Sequence, residues 1–343
     1  MRFLWYMALI GCSMPCTAQD APDLSAQGQA AAQAKQFGEA ERLWKEAVHL
    51  SPRHFPALFN LGYLYFTQQN FAQAEPLLRS AAQVTLNDFN SRYLLGLTLT
   101  HLDRREDALL AWREALRIQP RNLRLLQVMS VEYSKGRYFS EAADLAKQAL
   151  TLAPENENLY YLAIKAFQDS GDNESAAEIA RRAVLKFPAS ARANFEYGFQ
   201  LQNQAKLPEA LSYLKLAMKA DPAYEEPFFF YGSLLLDQGQ AEEAIPYLQT
   251  AIRNRADYVP AKVALARALI HLQKWQEAIA ELNNTLRMDP NQPQPHLLLS
   301  QIYFRLGEED KAKLEQRESL KLRRARPALL EGIQSRPFPD PKR

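Results

Sequence analysis

The sequence predicts an all-α solenoid of nine stacked helix-turn-helix repeats, each 34 residues long. Three observations predict it. Alanine recurs at that spacing without a gap, at Ala40, Ala74, Ala108, Ala142, Ala176, Ala210, Ala244, Ala278 and Ala312. A second small residue follows at a fixed offset: Ala47, Ala81, Ala115, Ala149, Ala183, Ala217, Ala251, Thr285 and Ser319. Apolar residues between these marks recur at i, i+3, i+4 and i+7, the spacing of an amphipathic helix. A period of this length means supersecondary units that cannot bury their apolar faces alone and so share a core with their neighbours.

Numbering each repeat from 1 to 34, the repeats start at residues 21, 55, 89, 123, 157, 191, 225, 259 and 293. The first helix of each is marked by slots 4, 7, 8 and 11, which in the second repeat are Leu58, Leu61, Gly62 and Tyr65. Slot 8 is Gly or small (Gly28, Gly62, Gly96, Ser130, Gly198, Gly232, Ala266, Ser300), with Ile164 the exception. A short turn follows, as in Ser170-Gly171-Asp172 and Gln238-Gly239-Gln240. The second helix is marked by slots 20, 24 and 27, for example Ala108, Trp112 and Ala115. Small residues at slots 8, 20 and 27 allow two helices to approach closely, and larger ones at 7, 11 and 24 fill the space around them. Proline at slot 32 (Pro52, Pro120, Pro154, Pro188, Pro222, Pro290) is expected to end the second helix.

This pattern resembles the tetratricopeptide repeat family. The family carries an aromatic or apolar residue at slot 4, Leu-Gly at 7 and 8, Tyr at 11, Ala at 20, an aromatic or Leu at 24, Ala at 27 and Pro at 32. The second repeat has Leu61-Gly62, Tyr65, Ala74, Leu78 and Ala81; the third has Leu95-Gly96, Ala108, Trp112, Ala115 and Pro120. The seventh has Gly232, Ala244, Leu248 and Ala251. The match covers residues 21–326 of 343 and departs at Ile164, at Leu86, Ala256 and Arg324 in slot 32, and at a polar Gln316 in slot 24, which suits a terminal repeat. The resemblance implies a right-handed superhelix whose first helices line a concave surface for a protein or peptide partner.

A chain of 343 residues ordinarily divides into two or three domains, but the unbroken period predicts one elongated array. The predicted layout is an export signal over residues 1–18, the array over 19–326 and a basic, proline-containing tail over 327–343. Net charge is only +2, so no strong field points to nucleic acid. Both cysteines, Cys12 and Cys16, precede the array, which leaves it without a structural disulfide or a thiolate metal site.

At the N-terminus, Arg2 precedes the apolar run Phe3-Leu4-Trp5-Tyr6-Met7-Ala8-Leu9-Ile10-Gly11, and small residues end at Cys16-Thr17-Ala18. A charge, a short apolar core and a small-x-small site form a secretory signal, cleaved after Ala18. A second reading competes with it. Leu9-Ile10-Gly11-Cys12 resembles the bacterial lipobox, which makes Cys12 a candidate lipidation site. The first reading implies a periplasmic or secreted protein, and the second an outer-membrane lipoprotein.

No catalytic constellation is evident. His49, His54, His101, His271 and His296 lack paired metal-ligand spacing, and no phosphate loop or nucleophile elbow occurs. No enzyme, cofactor or metal is therefore expected. Candidate partner-binding residues lie on slots 5, 9 and 12 of the first helices, a stripe about 100° from the core stripe. They are Phe59, Tyr63, Phe66, Tyr93, Tyr161, Phe195, Phe199 and Phe229, with Phe304 in the last repeat. Either these rings extend the core between adjacent helices, or they form apolar pockets for a partner peptide. Asn90, Arg124, Lys165, Gln202, Asn203 and Arg267 interleave with them as candidates for bonding a peptide backbone.

Two binding modes of the family are poorly matched. A carboxylate clamp needs paired Lys or Arg and Asn on three successive repeats; Asn60 and Arg124 occupy isolated suitable slots, but the set is incomplete. An asparagine ladder needs Asn repeatedly at slot 6, where Asn60 stands alone among Ala26, Leu94, Val128, Leu162, Glu196, Phe230, Ala264 and Leu298. The expected function is a noncatalytic protein–protein interaction adaptor. The alternatives are a scaffold in an envelope secretion, pilus or polysaccharide-export assembly, and a carbohydrate binder or enzyme accessory.

Overall fold

The computed structural model describes residues 20–325, all in helices or the turns between them. The expected export signal, Cys12 and the expected basic tail lie outside the described residues. Contacts divide the chain into two compact units, one ending at Ala153 and the other beginning at Pro154. The first unit contains α1 (Ala21–Gln33), α2 (Phe37–Leu50), α3 (Phe55–Thr67), α4 (Phe71–Val84), α5 (Phe89–His101), α6 (Arg105–Ile118), α7 (Leu123–Lys135) and α8 (Phe139–Leu152). The second contains α9 (Glu157–Ser170), α10 (Asn173–Lys186), α11 (Ala191–Asn203), α12 (Leu207–Ala220), α13 (Glu225–Asp237), α14 (Ala241–Asn254), α15 (Val259–His271), α16 (Trp275–Met288), α17 (Pro293–Arg305) and α18 (Glu309–Ala325). The chain is thus an all-α solenoid of helical hairpins. Every first helix opens at slot 1 and every second helix at slot 17 of the register set by the alanines.

The alanine ladder is the closest helix contact in each hairpin. All nine slot-20 alanines are fully buried, at 0% exposure. Slot 8 of the first helix faces slot 24 of the second. A Cβ added at Gly96 would stand 2.1 Å from Nε1 of Trp112, and one at Gly62 would stand 2.9 Å from Cγ of Leu78. The two tryptophans also use the contact polarly: the Trp44 indole donates to the Ser25 carbonyl at 3.1 Å and Trp112 to that of Tyr93 at 3.0 Å. The exceptional Ile164 has a compensating partner. Slot 24 of its repeat is Ala180, so the bulky residue has moved from the second helix to the first.

Slot 4 is more polar than the family pattern implies, and each polar residue there has a local partner. Buried Arg92 reaches Glu114 at 3.3 Å and the carbonyls of Thr85 and Asp88. Buried Lys262 lies 3.4 Å from Glu281, and Nδ1 of His296 lies 2.6 Å from Glu315. The Asn194 amide donates to the Pro188 and Ser190 carbonyls at 2.8 and 2.7 Å.

Between the helices, slot 15 adopts a left-handed backbone in every repeat. Only Gly171, Gly239 and Gly307 are glycine; Lys35, Gln69, Asp103, Arg137, Ala205 and Gln273 hold φ of 56–67°. The turn closes by amide bonds from slot 16 to the slot-11 carbonyl, as in Asn70 to Tyr65 at 2.8 Å, and from slot 15 to slot 12, as in Gln69 to Phe66 at 3.0 Å. This is a Schellman closure, which satisfies carbonyls at the helix end.

Proline at slot 32 proves unnecessary for ending the second helix. Where Leu86 and Ala256 replace it, α4 and α14 still end two residues earlier, at Val84 and Asn254, as in the proline-bearing repeats. The residue after the helix is extended both with a following proline (Ser51 φ −139°) and without one (Thr85 φ −117°). In the last repeat, where Arg324 stands at slot 32, α18 continues to Ala325.

Two glycine substitutions should move stability in opposite directions. Gly96→Ala drives a methyl into the Trp112 ring and should cost about 1–3 kcal/mol. Ala205→Gly relieves an alanine held at φ 59° and should gain about 1 kcal/mol. Thermal denaturation reads both; a neutral Gly96→Ala would refute the packing described here.

Candidate functional site

The stripe of slots 5, 9 and 12 is divided by burial. Of the candidate residues, Phe59, Tyr93, Tyr161 and Phe195 are buried, at 4–8% exposure. Tyr63, Phe66, Phe199 and Phe229 are half-buried. Slot 5 thus packs largely into the space between consecutive first helices, whereas three of the four half-open rings stand at slots 9 and 12. Phe229, at slot 5, remains half-open.

In the first unit, Phe59 stacks between Phe55 at 5.8 Å and Tyr63 at 6.4 Å, all on α3. Phe66 meets Phe71 edge-on at 5.7 Å, and Phe71 stacks on the His101 ring at 4.1 Å. Tyr93 stacks on Phe89 at 5.5 Å. Polar groups among these rings are incompletely satisfied. The Asn60 amide, 1% exposed, donates to Gln29 Oε1 at 3.1 Å. Asn60 Oδ1, Gln29 Nε2 and the Tyr93 hydroxyl are buried with no hydrogen-bond partner among the described residues. Burial holds the Tyr63 hydroxyl above its ordinary pKa.

In the second unit the site spans α9, α11 and α13. Phe195 contacts Tyr224 and Phe230, both at 5.4 Å, and Phe199 meets Phe230 edge-on at 5.1 Å. Phe229 continues the cluster to Phe230 at 5.0 Å and Tyr258 at 5.2 Å. The Tyr161 hydroxyl donates to Glu157 and lies 3.3 Å from Ser190 Oγ. The guanidinium of Arg192 stands 4.0 Å over the Tyr161 ring. Burial raises the pKa of Tyr161 and Tyr224, aided by the carboxylates of Glu157 and Glu226 respectively, and carries Tyr258 to about 12.

Sequence reasoning passed over Glu196, although a signal was present: it is the one charged residue at slot 6. Its side chain is 16% exposed and its nearest cation is Nε of Arg192, at 3.8 Å. Burial pushes its pKa up to about 7; Arg192 opposes the shift and Glu226 adds to it. Of the interleaved polar candidates, Lys165 is paired with Asp169 at 2.5 Å and Arg267 with Asp237 at 3.4 Å, while Arg124 is exposed.

Among the described residues, no group of three or more His, Cys, Asp or Glu is arranged to hold a metal. No described helix is long and apolar enough to cross a membrane.

Comparison with known proteins agrees with the architecture. Family models described as tetratricopeptide repeat match residues 25–90, 65–122, 161–225 and 200–260, and others of the same description match 235–302 and 293–326. No curated protein matches the chain. Among solved structures, PilW, a widely conserved type IV pilus biogenesis factor, is 25% identical, with a TM-score of 0.51 over 56% of this chain and 90% of its own. YrrB, a TPR protein with an unusual peptide-binding site, is 23% identical, with a TM-score of 0.43 over 54% of this chain and 95% of its own. MamA from Desulfovibrio magneticus RS-1 is 18% identical, with a TM-score of 0.44 over 49% and 96%.

The elevated pKa of Glu196 gives a pH signature. The folded chain holds this proton up to about pH 7, whereas an exposed glutamate releases it near 4.5. Folded protein therefore binds more protons than unfolded chain between these values, and stability falls as pH rises through that window. The stabilisation is complete below pH 4.5 and lost above about 7. Glu196→Gln should match the parent at pH 4.5 and exceed it at pH 8 by roughly 2–3 kcal/mol. A pH-independent difference in denaturation midpoint would rule out the buried carboxylate.

Proposed function

This chain belongs to the tetratricopeptide repeat family, and from that premise we propose that it is a noncatalytic adaptor that holds a peptide or protein partner against the aromatic faces of its first helices. Proteins of this family bind protein or peptide partners. The observation that carries the reading is the set of half-buried rings Tyr63, Phe66, Phe199 and Phe229, each seated on other aromatics. Aromatic rings offer large contact area with few rotors to freeze.

The unsatisfied amides support an extended peptide as occupant. Asn60 Oδ1 offers a buried acceptor and Gln29 Nε2 a buried donor. Peptide backbone supplies the complementary N–H and C=O, and satisfying such groups removes the cost of leaving them unmade. The half-buried rings, rather than the buried slot-5 residues, are the ones to mutate. Phe59 and Phe195 would create core cavities if truncated.

We expect Tyr63→Ala/Phe66→Ala and Phe199→Ala/Phe229→Ala, as separate double variants, to lose partners that the parent captures from an envelope extract. Mass spectrometry identifies the captured proteins, and melting curves verify that the variants fold. Capture unchanged in both folded variants would end the groove reading.

A second reading is favoured by the likeness to PilW: a scaffold in an envelope assembly, exported by the N-terminal signal and acting through spacing and docking. Anchoring at Cys12 would place it on a membrane. Metabolic lipid labelling decides that point. Label that disappears in Cys12→Ala supports the anchor, whereas an unlabelled parent leaves the cleaved, unanchored form.

A further inference from the structure

We infer that the α9–α11–α13 face is a socket for a lysine or arginine side chain of the bound peptide, with the aliphatic stem along Phe199 and Phe230 and the charged head at Glu196 and Glu226. This rests on the groove reading above and names the chemistry that its second unit recognises.

The first argument is charge balance within the socket. Glu196 is largely buried and its one close cation stands 3.8 Å away, beyond a hydrogen bond. The cations that face it are shared with other groups: Arg192, its ion-pair partner, also lies over the Tyr161 ring, and Lys165 is bonded to Asp169. Glu226, on α13, adds a second negative charge that acts on Glu196 and on the Tyr224 hydroxyl. The groups facing Glu196 are therefore Lys165 from α9, Arg192 from its own helix, Tyr224 from the end of its own repeat and Glu226 from α13. The charge of Glu196 is thus only partly neutralised.

The second argument is shape. Phe199 follows Glu196 by three residues and Phe230 follows Glu226 by four, so each shares a helix face with its carboxylate; the two rings stand edge-to-face at 5.1 Å, and Phe199 is half-open. Lysine and arginine combine an apolar stem with a cationic head, so one side chain satisfies both walls. A neutral apolar side chain would desolvate Glu196 further with no compensating charge, and an acidic one would add like-charge repulsion. Binding of a cation also requires Glu196 to be ionised, which couples affinity to pH.

The test is panning of phage-displayed random dodecapeptides on the full chain and on its Glu196→Gln variant at pH 8. The parent should select peptides with Lys or Arg fixed at one position, and the variant should lose that preference. Calorimetry on a selected peptide should then show about tenfold tighter binding to the parent at pH 8 than at pH 6. The same peptide with norleucine in place of the fixed cation should bind with little pH dependence. Selected peptides without a fixed cation, or with the same cation on both proteins, would overturn the socket and leave the groove standing. If the parent selects no peptide at all, the groove reading falls and the socket falls with it.

Discussion

Each hairpin depends on one steric bargain between its helices. The slot-20 alanine is fully buried, and slot 8 meets slot 24 so closely that one must be small when the other is large. Gly96 and Trp112 express the rule in one direction, Ile164 and Ala180 in the other. Bulk at the crossing can sit on either helix, and in the fourth repeat both positions, Ser130 and Ala146, are small. Well-packed interiors tolerate volume-conserving exchange better than a net addition. The indole N–H bonds of Trp44 and Trp112 show the same closeness, since each reaches a backbone carbonyl of the opposite helix.

That contact governs the turns as well. Holding two antiparallel helices this near leaves three residues to reverse the chain, and the closure places slot 15 in the left-handed region in every repeat. Six non-glycine residues accept that conformation, so packing of the hairpin outweighs the local backbone preference of each. The turn between repeats behaves similarly. Its geometry persists at Leu86 and Ala256, where proline is replaced, because helix docking and the closing backbone bond (Asp88 to Thr85, 3.2 Å) define it.

With the core stripe committed to the hairpin contacts, the first helices present a second stripe whose fate depends on neighbours. Phe195 is covered by Tyr224, the last residue of its own repeat, and by Phe230 from the next, while Phe199, one helical turn further along, stays half-open. The same packing that buries the slot-5 rings withdraws water from Glu196. A carboxylate in that position favours its proton or an incoming cation, so the aromatic wall and the charge state beside it have one physical origin.

The sequence by itself determined the repeat length, the hairpin count and the small residues at the helix crossings. All three are carried by residue size at fixed spacing, and size acts locally within a hairpin. It also set out the aromatic stripe at slots 5, 9 and 12, and the lone charge at slot 6 was there to be read. Tertiary structure decided the rest. Which rings are sealed and which remain open, why Arg92 and Lys262 stand buried at slot 4, and how far Glu196 is shifted all depend on side chains contributed by other helices. Desolvation sums over every element packed around a group, so no single stretch of sequence encodes it.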